Sequence, residues 1–203
     1  PGGALIHPSS QDLPPPDLSR WRDVAEGAGS YLVSNEAMMA LDMWLAVGRD
    51  RQPPSRRDLR PEAIAAVLAD TWLMDYAAES RRLTYRSVGE NVAARYDIPL
   101  VGKPLDETIA PGGRDRVMGY FLACVETPAV GMVLGRLYHA TDRPGYGERL
   151  LLPLLTPDGK PEGLLGITLC KATFASRPEA EDRARRLTVI LPLDGSPPSE
   201  TVS

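Results

Sequence analysis

The sequence has few of the residues that build metal, haem or disulfide sites. Its 203 residues include only two cysteines and two histidines. Two cysteines do not make the disulfide framework of a small secreted domain, and the apolar runs around Cys124 and Cys170 predict reduced, buried thiols. The spacing of these four residues matches no zinc motif. The composition therefore argues against a disulfide scaffold and against a metal site.

Charge of one sign and long apolar runs are also missing. The formal net charge is −4, and arginine and acidic residues are scattered along the chain. Proteins that bind nucleic acid or anionic membranes usually carry a clustered basic patch, so neither partner is expected. No apolar stretch approaches the about 18–20 residues of a transmembrane helix, and no signal-peptide pattern is visible. We therefore expect a cytoplasmic protein.

Common catalytic motifs are absent as well. The sequence contains no G-x-S-x-G nucleophile elbow, no P-loop and no G-x-G-x-x-G. Its acidic clusters, Asp106-Glu107 and the run from Glu179 to Asp182, are typical of solvated helix or loop ends. We predict that the protein is not an enzyme.

Helical periodicity is clearest in two segments. The segment from Ser34 to Val47 has apolar residues at helical spacing, an N-cap serine and a stop at Gly48. The segment from Arg114 to Glu126 has a wide apolar stripe and ends before Pro128. A shorter helix is predicted from Pro61 to Ala69, because proline suits the first helical turn.

Five further segments are rich in alternating, β-branched or aromatic residues, which predicts strands. They are residues 72–78, 82–88, 130–140, 148–155 and 164–174. An Asp158-Gly159 turn joins the last two, and hairpin links of this kind predict an antiparallel sheet with helices on one face. The apolar segment from Leu187 to Leu193 predicts either a sixth strand or a segment that pairs across a dimer.

The chain divides into three parts. Residues 1–33 predict a partly disordered leader with one short helix, since Pro14, Pro15 and Pro16 impose an extended conformation. Residues 34–175 predict one domain that begins with a helix. Residues 176–203 predict an extension with one extra strand and a disordered, proline-rich tail from about Gly195.

The order of these elements resembles that of PAS domains, and residues 37 to about 173 resemble a bacterial PAS subfamily found often in alphaproteobacteria and long described as a domain of unknown function. The matching pieces, in chain order, are Trp44, Pro54–Pro61, Leu73, Tyr85–Gly89, Val101–Leu105 and Arg149–Leu154. The resemblance implies an α+β fold: a five-stranded antiparallel sheet with helices on one face, preceded here by an N-terminal helical extension.

PAS domains are sensors or dimerisation modules, so the resemblance implies a role in signal transduction. The first hypothesis is a homodimeric sensory or regulatory module that binds a small molecule or a signalling partner protein. The second is a ligand-free scaffold or dimerisation domain, and the third is a small enzyme. A lined cavity between sheet and helices would favour the sensor, and a filled interior would favour the scaffold.

A ligand pocket in this fold would lie between the sheet and the long helix. The residues expected to face it are Tyr85, Arg86, Met118, Tyr120, Phe121, Arg136, Tyr138 and His139. A guanidinium in an apolar pocket can hold a carboxylate or phosphate through two parallel hydrogen bonds. The alternative is that the aromatic residues are plain core and that Arg86 pairs with a carboxylate.

The sequence does not identify a cofactor. Haem usually needs an axial histidine, but His7 lies in the leader and His139 on a predicted strand, so haem is disfavoured. Covalent flavin attachment in related light sensors resembles an Asn-Cys-Arg-Phe run, which is absent here. Non-covalent flavin stays open.

The helix from Ser34 carries more apolar surface than one face can bury. A methionine-rich stripe suits an adaptable protein contact. We therefore predict a homodimer interface on Met38, Leu41, Trp44 and Leu45. The alternative is that the helix folds back over its own sheet as core, and the two arrangements are compatible.

Overall fold

The computed structural model describes residues 16–48, 52–137, 145–170 and 186–203. Four α-helices lie in this part of the chain: α1 Trp21–Gly27, α2 Asn35–Val47, α3 Glu90–Ala93 and α4 Arg114–Glu126. They are accompanied by 3₁₀ segments at Ala28–Tyr31, Arg56–Asp58, Pro61–Asp70, Leu105–Glu107 and Pro111–Gly113. None of these helices combines the length and the apolar character that a membrane crossing requires.

The strands of the described residues form one antiparallel sheet. They are β1 Thr71–Ala77, β2 Arg82–Val88, β3 Ala129–Leu137, β4 Gly145–Leu155, β5 Pro161–Leu169, β6 Leu187–Pro192 and β7 Ser199–Val202. Their order across the sheet is β2-β1-β5-β4-β3-β6-β7, so β4 lies in the middle and β2 and β7 form the edges. The β4–β5 hairpin turns at Gly159, whose φ of +80° favours glycine.

Both faces of the sheet are covered. On one face, here called the α2 face, the sheet packs against α1, α2 and the segment Pro61–Asp70. On the other, here called the α4 face, it packs against α3, α4 and the segment Leu105–Glu107. The middle strand β4 is therefore buried on both sides over most of its length, which explains its nearly continuous apolar sequence.

The predicted α+β fold, with an antiparallel sheet and an N-terminal helix, is confirmed. The sheet has seven strands rather than five, because β6 pairs with the outer edge of β3 and β7 pairs with β6. The tail from Gly195, which was expected to be disordered, thus contains a strand. The open edge of β6 supplies the hydrogen-bonding partners that order it.

The described part of the leader also belongs to the core. Trp21 of α1 is fully buried and meets Trp44 of α2 edge to face, with ring centroids 5.2 Å apart. The Trp44 indole Nε1 donates to the backbone oxygen of Pro153 on β4, at 3.1 Å. These contacts bind α1 and α2 to the α2 face.

The N-terminus of α2 is held by a buried carboxylate from the sheet. Glu148 of β4 is 2% exposed and accepts hydrogen bonds from the backbone N–H of Val33, at 2.8 Å, and of Ser34, at 3.1 Å. Glu148 also accepts from the Ser34 hydroxyl. The hydroxyl oxygen of Ser34 in turn accepts from the Ala37 N–H, so Ser34 is the N-cap of α2. One carboxylate therefore joins α2 to the middle of the sheet.

We predict that Glu148→Gln lowers the free energy of unfolding by about 1–3 kcal/mol, because an amide NH₂ would replace one of the two accepting oxygens. Urea unfolding measures the loss. Glu26→Gln, on the exposed side of α1, is the matched control and should change stability little. Equal midpoints for the two variants would contradict the role of Glu148.

A second prediction concerns the packing of β5 against Trp72. A Cβ added at Gly166 would lie 2.0 Å from the Trp72 ring, which is itself buried and hydrogen-bonded through Nε1 to Thr168. Gly166→Ala should therefore destabilise the protein by roughly 1–3 kcal/mol through overpacking. Gly119→Ala in α4, where the new methyl meets no atom within 4 Å, should instead raise stability by about 0.5–1 kcal/mol. Thermal unfolding of both variants compares the two, and the idea fails if Gly166→Ala melts like the wild type.

Candidate functional site

A pocket opens between α4 and the α4 face of the sheet, and we call it the α4 pocket. The space between its walls, together with solvent at its open mouth, is about 550 Å³. Its lining residues are Tyr85, Tyr96, Leu105, Thr108, Ile109, Gly113, Arg116, Val117, Tyr120, Arg136, Leu137, Arg149 and Arg186. Four of these residues are arginines, and among the described lining residues there is no aspartate or glutamate.

Arg149 enters the pocket from the middle strand of the sheet. Its Nη1 donates to the Tyr120 hydroxyl at 2.8 Å, and its Nε donates to Thr168 Oγ1 at 3.1 Å. Its guanidinium also lies over the Phe121 ring, 5.7 Å from the centroid. Since both Thr168 and Phe121 are buried, these contacts hold the guanidinium in one orientation at the base of the pocket.

Arg186 directly precedes β6, and the residue is 4% exposed in the fold. Its backbone N–H and carbonyl pair with Ser203, and its Nη2 donates to the Ser203 hydroxyl at 3.1 Å. Its buried Nε has no hydrogen-bond partner among the described residues. Burial, and then the charges of Arg116 and Arg149, lower the pKa of Arg186.

Tyrosine and threonine hydroxyls add neutral polar groups to the pocket. Tyr85 and Tyr96 are hydrogen-bonded to each other, and burial is the main cause that raises the pKa of Tyr96. Thr108 donates to the backbone oxygen of Leu105 at 2.8 Å. The walls between these groups are apolar and come from Leu105, Ile109, Val117 and Leu137.

The residues predicted for a ligand site do not all lie together. Tyr85, Tyr120 and Arg136 line the α4 pocket, while Phe121 is 1% exposed and packs beneath Arg149 as core. Met118 is half-buried in the α4-face core and does not line the pocket. Tyr138 and His139 lie outside the described residues.

Arg86 is the clearest departure from the expected ligand site. It lies on the exposed side of the edge strand β2, and its Nε donates to both carboxylate oxygens of Asp75 at 2.9 Å. Arg56 binds the same carboxylate and also pairs with Glu162. Because the Arg86 side chain is 48% exposed, this is a surface ion pair of small energetic weight, and Arg86 is no ligand clamp in the pocket.

Sequence patterns did not identify four lining residues of the pocket: Arg116, Arg149, Arg186 and Tyr96. A signal for two of them was present: Arg149 interrupts the apolar sequence of the middle strand, and Arg186 directly precedes an apolar strand. A charged residue at such a position is either exposed or buried for a reason. Periodicity alone did not show which face of the sheet either arginine would occupy.

Three of the four residues predicted for a dimer interface pack inside the chain. Leu41, Trp44 and Leu45 are between 0% and 8% exposed in the α2-face core. The helix therefore folds back over its own sheet, which was the alternative to a dimer interface. Met38 and the neighbouring Met39 stay exposed, at 37% and 50%.

Neither cysteine is poised for thiol chemistry. Cys124 lies on the buried side of α4, and burial raises the pKa of its thiol to about 12. Burial also raises the pKa of Cys170. In the described part of the chain, no group of three or more histidine, cysteine, aspartate or glutamate side chains could hold a metal ion.

Comparisons with known proteins bear on the family. The family model described as a PAS domain matches residues 33–169, which is more than half of the chain. Among solved structures, the crystal structure of the PAS domain of a protein from Colwellia psychrerythraea is 16% identical and has a TM-score of 0.37. The match covers 54% of this chain and 95% of that one. No curated protein matches. Because the family model matches more than half of the chain, from α2 to the end of β5, the chain belongs to the PAS domain family.

Proposed function

We propose that this PAS domain is a cytoplasmic sensory module that binds a small molecule in the α4 pocket. Sensing and regulation are the general roles of the family. The observation that carries the proposal is the pocket itself, in which buried polar groups from β4, α4 and the start of β6 converge between apolar walls. Small-molecule sites usually combine these features. A ligand-free scaffold would be expected to fill this space with side chains.

The chemistry of the lining residues favours binding over catalysis. Arginine stays protonated at physiological pH and cannot serve as a general base. Burial moves the pKa of Tyr96 further above neutrality, so this hydroxyl is a poor base or nucleophile. A set of fixed donors with no proton acceptor near neutrality is suited to holding a ligand unchanged.

Native mass spectrometry of freshly purified protein, with an absorbance spectrum of the same sample, tests the proposal. We expect an adduct of roughly a few hundred daltons on the wild-type chain. Val117→Trp would fill the pocket from α4 and should remove the adduct. Gly119→Trp lies on the same helix where a side chain meets open space, so it should retain the adduct.

A wild-type chain that carries no adduct, and whose melting temperature no compound of a metabolite library raises, would contradict the sensor and support the scaffold. An adduct that Val117→Trp leaves in place would show that the ligand binds elsewhere. Absorbance in the visible range would add that the ligand is a chromophore such as a flavin.

We also propose that the module acts as a homodimer, and that α2 supplies the contact. Val33, Met38 and Met39 are exposed apolar residues at one end of this helix, at 48%, 37% and 50%. Leu41, Trp44 and Leu45 pack in the α2-face core, so the three exposed residues are the large apolar side chains that the start of α2 presents to a second copy. A signalling protein that docks on the same residues is the heteromeric form of this hypothesis.

Light scattering coupled to size exclusion tests the dimer. The wild-type protein should have about twice the chain mass of 22.0 kDa. Changing Met38 and Met39 together to glutamate should give the monomer mass, because two charges would then be buried in the contact. Val101→Glu, at an exposed apolar position outside α2, is the control and should stay dimeric. A dimer that survives the double change would remove α2 from the interface.

A further inference from the structure

We infer that the ligand of the α4 pocket is a small organic anion with at least two negative charges, carried by carboxylate or phosphate groups. The inference rests on the proposed function and names the ligand class. Its basis is the set of arginines, Arg116, Arg136, Arg149 and Arg186, that line one pocket whose described lining includes no acidic side chain.

This grouping runs against the charge pattern of the rest of the chain. The protein has a net charge of −4, and several arginines outside the pocket pair with carboxylates. Arg81 pairs with Glu126 at 2.7 Å, and Arg86 pairs with Asp75 at 2.9 Å. In the pocket, by contrast, arginine lies near arginine, and the charges of Arg116 and Arg149 help to lower the pKa of Arg186. Like charges held together are unfavourable until an anion lies between them.

Arg186 supplies the second, independent observation. The residue is 4% exposed, its Nη2 is bound to Ser203, and its Nε has no acceptor among the described residues. A buried donor of a charged group that lacks an acceptor carries a large desolvation cost. The Nε and Nη edge of a guanidinium matches the two oxygens of a carboxylate or phosphate. An anionic ligand in the pocket would provide the missing acceptor.

The remaining lining residues define the rest of the ligand. Arg149 is held in one orientation by Tyr120 and Thr168, so its positive charge is fixed at the base of the pocket before a ligand enters. The apolar walls suit a short carbon skeleton. Arg116 is exposed at the mouth, where it can attract and cover the ligand.

The test measures anion binding to the full chain by calorimetry and thermal shift. The probes are succinate and citrate for carboxylates, and inorganic phosphate and glycerol 3-phosphate for phosphates. The neutral analogue succinamide and sodium chloride at equal ionic strength are the controls. We expect at least one anion to raise the melting temperature while succinamide and chloride do not, and the better pair identifies the anionic group.

Two arginine variants test whether the anion binds in the α4 pocket. Arg116→Gln should raise the dissociation constant of the binding anion about tenfold, because one charge-assisted contact is lost. The Arg116 side chain is exposed, so the change should leave the fold intact. Arg186→Lys keeps the buried charge but loses the Nε donor, and should weaken binding at least as much. Arg86→Gln removes an arginine of the exposed edge strand and should leave the dissociation constant unchanged. Equal weakening in all three variants would overturn the assignment, since it would indicate general charge attraction.

A further variant tests whether acidic residues of the chain itself occupy the α4 pocket. Glu179, Glu181 and Asp182 precede Arg186 in the sequence and lie outside the described residues. Changing them to Gln, Gln and Asn should leave anion binding as in the wild type. Binding that appears only after this change would mean that these carboxylates occupy the pocket, and it would overturn the inference.

The outcomes separate this inference from the proposed function. An adduct or a library compound that binds at the α4 pocket but is neutral or cationic would leave the sensor in place and overturn the anion. No stabilisation by any of the four anions up to about 10 mM would also overturn it. The absence of every adduct and of every library ligand would remove the sensor and the anion together.

Discussion

The middle strand β4 carries the constraint on which the rest of the structure depends. Two successive residues of opposite charge, Glu148 and Arg149, are both buried, and successive side chains of a strand point to opposite faces. The carboxylate therefore lies on the α2 face and the guanidinium on the α4 face. A slip of one residue would bring the carboxylate among the arginines and the guanidinium under the N-terminus of α2, so the pair pins the register of the sheet.

The buried charges on the two faces of the sheet have different surroundings. Glu148 meets backbone and hydroxyl donors at the start of α2, so its charge is satisfied within the chain and its effect is structural. Arg149 meets the neutral oxygens of Tyr120 and Thr168 in a pocket that opens to solvent and that Arg186 also enters. Two buried donors have no hydrogen-bond partner among the described residues: Trp21 Nε1 in the α2-face core and Arg186 Nε in the α4 pocket. Of these two, Arg186 Nε belongs to a charged group and lines an open pocket, so it is the donor that a ligand could satisfy.

The sequence predicted those elements whose apolar pattern is strong. Helices α2 and α4 and the strands up to β6 follow directly from periodicity, N-caps and turn residues, and the element order led to the PAS fold. Periodicity could not show which strands pair with each other. Strand β7 is exposed and has no apolar pattern, and it is ordered by pairing with β6. The same limit explains the site. Arg86 and Arg149 both lie on strands, but only tertiary packing places one beside Asp75 on the surface and the other beneath α4.

The position of Arg186 suggests how an occupied pocket would reach the surface. Its side chain lines the pocket, while its backbone directly precedes β6 and forms two hydrogen bonds with Ser203 at the end of the β6–β7 pair. An anion bound to Nε would hold this guanidinium more firmly and, through Ser203, the exposed edge strand β7. Edge strands are also where a sheet can accept a partner strand. A ligand that acts on Arg186 would therefore act on the part of the sheet with free backbone groups, which is the response that a sensory module needs.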